Sequence, residues 1–450
     1  VNPTELLLSG LEELSRKPID QSLELSLRLR LLDTLGCVFA GAKILRERDD
    51  RIQKLLESYG SDGPASVIGF SRKSNVLAAA LVNGISSHMA EMDDGHRKGI
   101  VHAGAVIVPA LISVIQDPRM TDRGFLVGLL VGYEAAIRIA CTLQPHAKNM
   151  GWHGTGVFGC VGAALGVASA LGADKEQMRA ALSAGATSAS GLLQVIRGTS
   201  DLKPFNSGQA SQAGVSAALI ALAGFSGAED VLSGHQGLAE LWSGKSDYSF
   251  SMLAVTPPYC VNTVYVKPYA SCRYAHAPVE AILELGQKHD ICIEEIETIE
   301  IDTFKWAIFR HDHSEVTGIS DAKMSVPFCV SSTLVTGQTG MEAFTLNRLS
   351  DSKIQKLAKK VVMREDPEMS ARVPNERPAK VTIKMRTGRS FSARVDLPRG
   401  EPETCLSCDE QVEKFIELAV YSGLSISAAK SFATDLLAPS APIKSLLLRL

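Results

Sequence analysis

The sequence predicts a mainly α protein: a large all-helical domain interrupted by an inserted, smaller α+β domain. Three observations lead there. Apolar residues recur at helical spacing from Leu6 to about Gly227, and strand signals are nearly absent before residue 245. Alternating apolar and polar runs enter after about residue 265, and from Ser407 to Leu450 the spacing is helical again. The 450 residues, at roughly 150 per domain, leave room for two or three domains and a large core.

The first strong helical run is 23–40, and similar runs follow at 74–92, 103–116, 124–143, 155–172, 175–190 and 208–224. They are rich in Ala, Gly and Ser, as closely packed helices are. The stretch 154–173 has no charge, yet its six glycines and five alanines make it a buried helix in place of a membrane span. Residues 297–304 alternate like a half-buried strand. Residues 381–386 and 390–397 flank Thr387-Gly388-Arg389 as a β-hairpin, with helices expected near 277–289, 324–336 and 351–362. The simplest division is 1–266 with 403–450 as the helical domain and 267–402 as the α+β domain.

Composition narrows the function. With 45% hydrophobic and 21% charged residues, disorder is disfavoured. A net charge of −3 without a basic block gives no footprint for nucleic acid or a membrane surface. The nine cysteines are scattered, which reads as reduced thiols and a cytoplasmic setting. Cys405 and Cys408 have CxxC spacing with no second pair, so no zinc site is read there.

Four segments collect ionisable residues beside small or glycine-rich text: 88–105, 152–159, 201–209 and 267–278. Each precedes an apolar helical run, so each should lie near a helix N-terminus, where free N–H groups and the macrodipole favour anions. His102 and His153 there should stay neutral, as a general base requires. Lys203 and Lys267 add cationic donors, and convergence of the four would make a pocket for a substrate with several carboxylates. There is no HExxH or comparable spacing, so no metal is expected; nor is there GxGxxG, a Walker loop or GxSxG. Cys272 reads as a structural thiol before a nucleophile, and His311-Asp312-His313 as a solvated loop.

The same segments resemble the MmgE/PrpD family, whose members include 2-methylcitrate dehydratases, cis-aconitate decarboxylases and iminodisuccinate epimerases. The resemblance rests on Glu91 to Ala105 with its His-x-Gly-Ala, on Trp152-His153-Gly-Thr-Gly-Val-Phe-Gly, and on Lys203-Pro-Phe. It continues in Lys267-Pro-Tyr269-Ala-Ser-Cys272-Arg273-Tyr-Ala-His276 and in Asp321-Ala-Lys323-Met-Ser-Val-Pro-Phe. It implies a helical domain with an α+β lid domain, a homodimer, and a site between the domains using neither metal nor organic cofactor. Glu91 and Asp94 fall on the acidic positions, His102 on the histidine after them, and His153, Lys203 and Lys267 on the remaining polar ones. Lys203, Arg97, Lys98 and Arg273 are candidate carboxylate clamps, with Tyr269 and Cys272 beside them in the substrate-binding set. His276 is read as starting the lid helix. Gly95 stands where many relatives carry Thr, and Asn206 and Gln209 replace a usual His and Arg.

These reactions share a carbanion-like centre next to a carboxylate, which needs a nearby base and cations for the developing charge. Bases are retained while accessory groups are lost, so the residues favour an epimerase acting on a small polycarboxylate, similar to iminodisuccinate epimerase. A dehydratase-like or decarboxylase-like lyase is the alternative, and a non-catalytic helical ligand-binding protein the second. In the epimerase, His102 or Lys267 would take the α-proton and the other, or Lys203, would return one.

Overall fold

A computed structural model describes all residues except 1, 49, 61, 197–199, 201 and 246. Asp201, at the head of the third segment, therefore lies outside the described residues. The chain divides into two compact units, one of Val1–Ile196, Leu202–Tyr265 and Ser407–Leu450, the other chiefly Val266–Leu406.

The first unit is helical. Gly154–Ala170 runs through its centre with nearly every residue buried, packed against Asp122–Leu143 and Lys203–Leu222. Small residues make this possible: a Cβ at Gly166 would stand 2.7 Å from Gly128 O, so backbones meet where side chains would hold them apart. Asp122–Leu143 is long and apolar enough to cross a membrane, and 94% of its 18-residue apolar window is buried inside the protein, as in a core helix. The core continues through Gln21–Arg48, Val76–Met89 and the C-terminal helices Cys408–Tyr421 and Ile426–Leu437. A short antiparallel hairpin, Ala65–Val67 with Arg72–Ser74, was not expected from the sequence.

One detail fixes three helices together. Pro109 lies inside Gly104–Ser113 and has no N–H to offer Ala105 O four residues back. That carbonyl instead accepts from Ser87 Oγ at 2.6 Å and Ser207 Oγ at 2.8 Å, one from each neighbouring helix. Ser211 Oγ does the same for Val106 O at 2.7 Å. A buried carbonyl left unpaired would cost about 1–3 kcal/mol, so these hydroxyls hold the helices in register.

The second unit carries a four-stranded mixed sheet. Ile296–Thr303 pairs in parallel with Val361–Glu365 and antiparallel with Ala379–Met385, which pairs antiparallel with Ser390–Val395. Ile299, Ile301, Val381 and Ile383 are fully buried on one face. His276–Lys288 packs on the two hairpin strands, and Val326–Thr336 on that helix. The helix expected over 351–362 is shorter, Ser352–Ala358, because Val361–Glu365 leaves it to become the parallel edge strand.

Candidate active site

Three of the four segments meet inside the first unit. Val76–Met89 ends one residue after His88, and Glu91 takes a positive φ of 56°, turning the chain sharply into Asp93 and Asp94. That conformation costs a non-glycine residue about 1–2 kcal/mol. Two lysines hold the turn. Lys203, first residue of Lys203–Leu222, donates to Glu91 Oε1. Lys414, from Cys408–Tyr421, donates to Met92 O and Asp33 Oδ1, both at 2.6 Å.

Asp94 is fully buried, with Oδ2 accepting from Tyr133 Oη at 2.6 Å and Oδ1 from Gly104 N at 3.1 Å. It thereby caps the start of Gly104–Ser113. Burial pushes its carboxyl up to about 6, against the pull of the Tyr133 hydrogen bond. The expectation that Asp94 binds substrate gives way: both its oxygens are committed to the scaffold. Its contribution to the site is its backbone carbonyl, which faces His102.

His102 Nδ1 lies 2.6 Å from Asp94 O and 3.0 Å from Asp93 Oδ2. A carbonyl and a carboxylate oxygen only accept, so Nδ1 carries the proton and Nε2 of the neutral ring carries the lone pair. The backbone N–H of His102 donates to Thr155 Oγ1 at 3.2 Å, linking it to the 152–159 segment. His153 is the residue before Gly154–Ala170, and Asn206 Nδ2 lies 3.1 Å from its Nδ1. The amide donates there, which leaves His153 with its proton on Nε2. Burial, together with the positive surroundings of Lys203 and the other histidines, holds His153 well below the usual histidine range and therefore neutral. The two rings are thus fixed in opposite tautomers.

His88 and Asp93 lie in the 88–105 segment but are not among the candidate residues read from it. His88 is 0% exposed, its Nδ1 is 2.7 Å from Asp93 Oδ2, and burial lowers its basicity. Its ring centre lies 4.9 Å from that of His102 and 6.1 Å from that of His153. One donor atom each from His88, Asp93 and His102 lies within 4.8 Å of the others, a grouping a divalent cation could use. The N···O edges of 2.7 and 3.0 Å are those of hydrogen bonds. Donors about 2.0–2.1 Å from a tetrahedral ion stand roughly 3.3 Å apart, so the group reads as a hydrogen-bonded chain.

Gly95 has a reason of its own. A Cβ there would lie 2.4 Å from Tyr265 Oη, and the two residues bond backbone to backbone at 3.1 and 2.7 Å. The phenol occupies the space a larger residue at 95 would fill, and its ring stands edge-on to His102 at 6.3 Å. Arg97 is half-buried and Lys98 is exposed, with its charge felt by the Cys141 thiol.

Lys267, Tyr269, Cys272 and Arg273 belong to the second unit. Lys267 is 1% exposed, and Cys272 N donates to Lys323 O at 2.9 Å. Burial pushes Tyr269 up to about 12, and its ring lies 5.0 Å from that of His276. Arg273 does not serve as an open clamp. Its guanidinium donates to Glu401 Oε1 at 2.9 and 3.1 Å, to Arg399 O and Pro398 O, and to His276 Nδ1. That makes it the anchor of the 398–401 turn. His276 does begin its helix, with Nε2 3.3 Å from Ser271 O. Lys323, noticed in the sequence only as part of a motif, is 1% exposed, with Nζ 3.5 Å from Met341 Sδ. His311, expected in a solvated loop, is buried and bonds Met324 O through Nδ1 at 2.8 Å.

Comparisons with known proteins place the chain in a family. Residues 11–251 match the MmgE/PrpD N-terminal domain and residues 269–431 the MmgE/PrpD C-terminal domain. The chain is similar to a cis-aconitate decarboxylase of Aspergillus terreus, 24% identical over 412 residues, 83% of this chain and 80% of the relative. It is also 24% identical over 449 residues to the cis-aconitate decarboxylase-like protein oryM of Aspergillus oryzae, covering 93% and 90% of the two chains. The human cis-aconitate decarboxylase is 23% identical over 412 residues, covering 88% and 83%. With one domain match alone spanning more than half of its residues, the chain belongs to the MmgE/PrpD family.

Proposed function

We propose that the protein is a lyase acting on a small polycarboxylate, with decarboxylation of a cis-aconitate-like substrate as its leading reaction. The relatives named above favour a lyase over the epimerase that the sequence suggested. The observation that carries proton transfer is His102, locked by two acceptors with Nε2 bare and a carboxylate behind it. Cleaving the bond to the departing carboxylate leaves its electron pair on carbon, and carbon dioxide leaves. A proton must then reach that carbon. Lys203, and His102 once its Nε2 has taken a proton from solvent with Asp93 stabilising the imidazolium, are the proton sources, while His153 Nε2–H faces developing negative charge as a neutral donor. In dehydration the same Nε2 would instead take the α-proton.

Epimerisation remains the second reading, because opposite tautomers at His102 and His153 are what a pair of groups needs when one takes and the other gives. Incubation with cis-aconitate in deuterium oxide distinguishes them. Carbon dioxide release with one deuterium incorporated per product is expected, and His102→Gln should lose about 10²–10⁴ in kcat. Deuterium exchange and inversion of iminodisuccinate without carbon dioxide would establish the epimerase. Full turnover by His102→Gln would remove this histidine from the mechanism.

A further inference from the structure

We infer that His88 is a positioning residue for proton transfer: its Nδ1–H holds Asp93 in the place where the same carboxylate oxygen fixes His102. The inference rests on the reading of His102 as the group that moves the proton. Three facts support it. Asp93 Oδ2 accepts from both rings, at 2.7 Å from His88 and 3.0 Å from His102. His88 and Asp93 are both 0% exposed, so neither is a surface polar group satisfied by bulk water. Finally, His88 Nε2 is buried without a hydrogen-bond partner, although burying an unpaired polar atom costs about 1–3 kcal/mol. Packing alone would be met by an apolar residue at lower cost; what the ring adds is its other nitrogen.

The electrostatics give this a direction. His88 is kept neutral by burial, so it offers Asp93 a donor without adding a charge. With that donor in place, Oδ2 is held between two N–H groups; without it, one of the two bonds that set Oδ2 beside His102 is lost. The other groups around His102 are the Asp94 carbonyl, the His153 and Tyr265 rings and, acting on His88 and His153, the Lys203–Glu91 pair. Of these, the His153 ring also feels His88, so its ¹⁵N signals are followed beside those of His102.

The test compares His88→Leu and His88→Gln, which lose the Nδ1 donor, with His88→Asn, whose amide N–H can take its place. Two readouts are used: the tautomer signature of the His102 ¹⁵N signals in the full chain, and kcat and KM with cis-aconitate. In the Leu and Gln variants Asp93 loses one of its anchors, so the His102 signals should show a tautomer mixture, and kcat should fall about 10–100-fold with KM little changed. The Asn variant should keep the wild-type tautomer and kcat. If the Leu variant does not fold, the polar Gln variant makes the same measurement. Unaltered His102 signals in a folded Leu or Gln variant overturn the inference. The NMR arm reads His102 directly, so a shift there sustains the positioning role even if cis-aconitate is not turned over, which would count only against the lyase reading.

Discussion

Replacing Asp94 by Asn should stabilise the protein at neutral pH and do so by an amount that depends on pH. The carboxyl is fully buried and titrates at about 6 in the folded chain, against an ordinary value of 3.8. A raised carboxyl value means the folded state holds its proton more tightly than the unfolded state. Its stabilising effect is therefore complete below pH 3.8 and is lost as pH rises through 6. The full span corresponds to about 3 kcal/mol. Between pH 5 and pH 8 the wild-type protein should lose about 1 kcal/mol from this group alone. The Asp94→Asn variant has no such loss: the carbonyl of its new amide can accept from Gly104 N, and the NH₂ can donate to the Tyr133 hydroxyl. Urea unfolding at pH 5, 6, 7 and 8, followed by far-UV circular dichroism, measures the difference. The variant's advantage should grow by about 1 kcal/mol across the series. Because Asp94 faces His102 with its backbone carbonyl, turnover should survive the substitution. A stability difference that is flat with pH would refute the reasoning, since Asp94 would then titrate as an ordinary carboxylate.

Three further outcomes are expected. Gly95→Ala places a methyl 2.4 Å from Tyr265 Oη and should cost about 1–3 kcal/mol, seen as a lower Tm, with Tyr265→Phe in the same chain relieving part of it. Asn206→Ala removes the donor to His153 Nδ1, so ¹⁵N spectra should show His153 as a tautomer mixture, with kcat reduced about tenfold. Lys414→Met leaves Asp33 buried and uncompensated, which should cost about 3–5 kcal/mol in urea unfolding and lower activity through the acidic turn.

Much of this site was legible because helix starts are written in local sequence. His102 lies two residues before Gly104–Ser113, His153 directly before Gly154–Ala170, and Lys203 opens its helix. The same rule missed His88, which sits at the opposite end of a helix, where a basic residue reads as a favourable interaction with the C-terminal dipole. Its five-residue separation from Asp93 across a helix stop was the available signal. Arg273 was misread for a related reason. An arginine in the same short motif as Lys267 looks like a carboxylate clamp, and its partners Pro398, Arg399 and Glu401 are more than a hundred residues away. Val361–Glu365 escaped because a half-exposed edge strand lacks the alternation that marked Ile296–Thr303. Close packing of the 154–173 stretch followed directly from its glycines and alanines.

The bond from Lys414 to Met92 O spans 322 residues. While the polypeptide is being synthesised, the acid-bearing turn is therefore made early and stays without its tether until the late helix emerges. Catalytic competence should be among the last properties the nascent chain acquires, well after the central helices have packed. Ribosome-bound intermediates stalled before residue 414 should accordingly be compact yet inert.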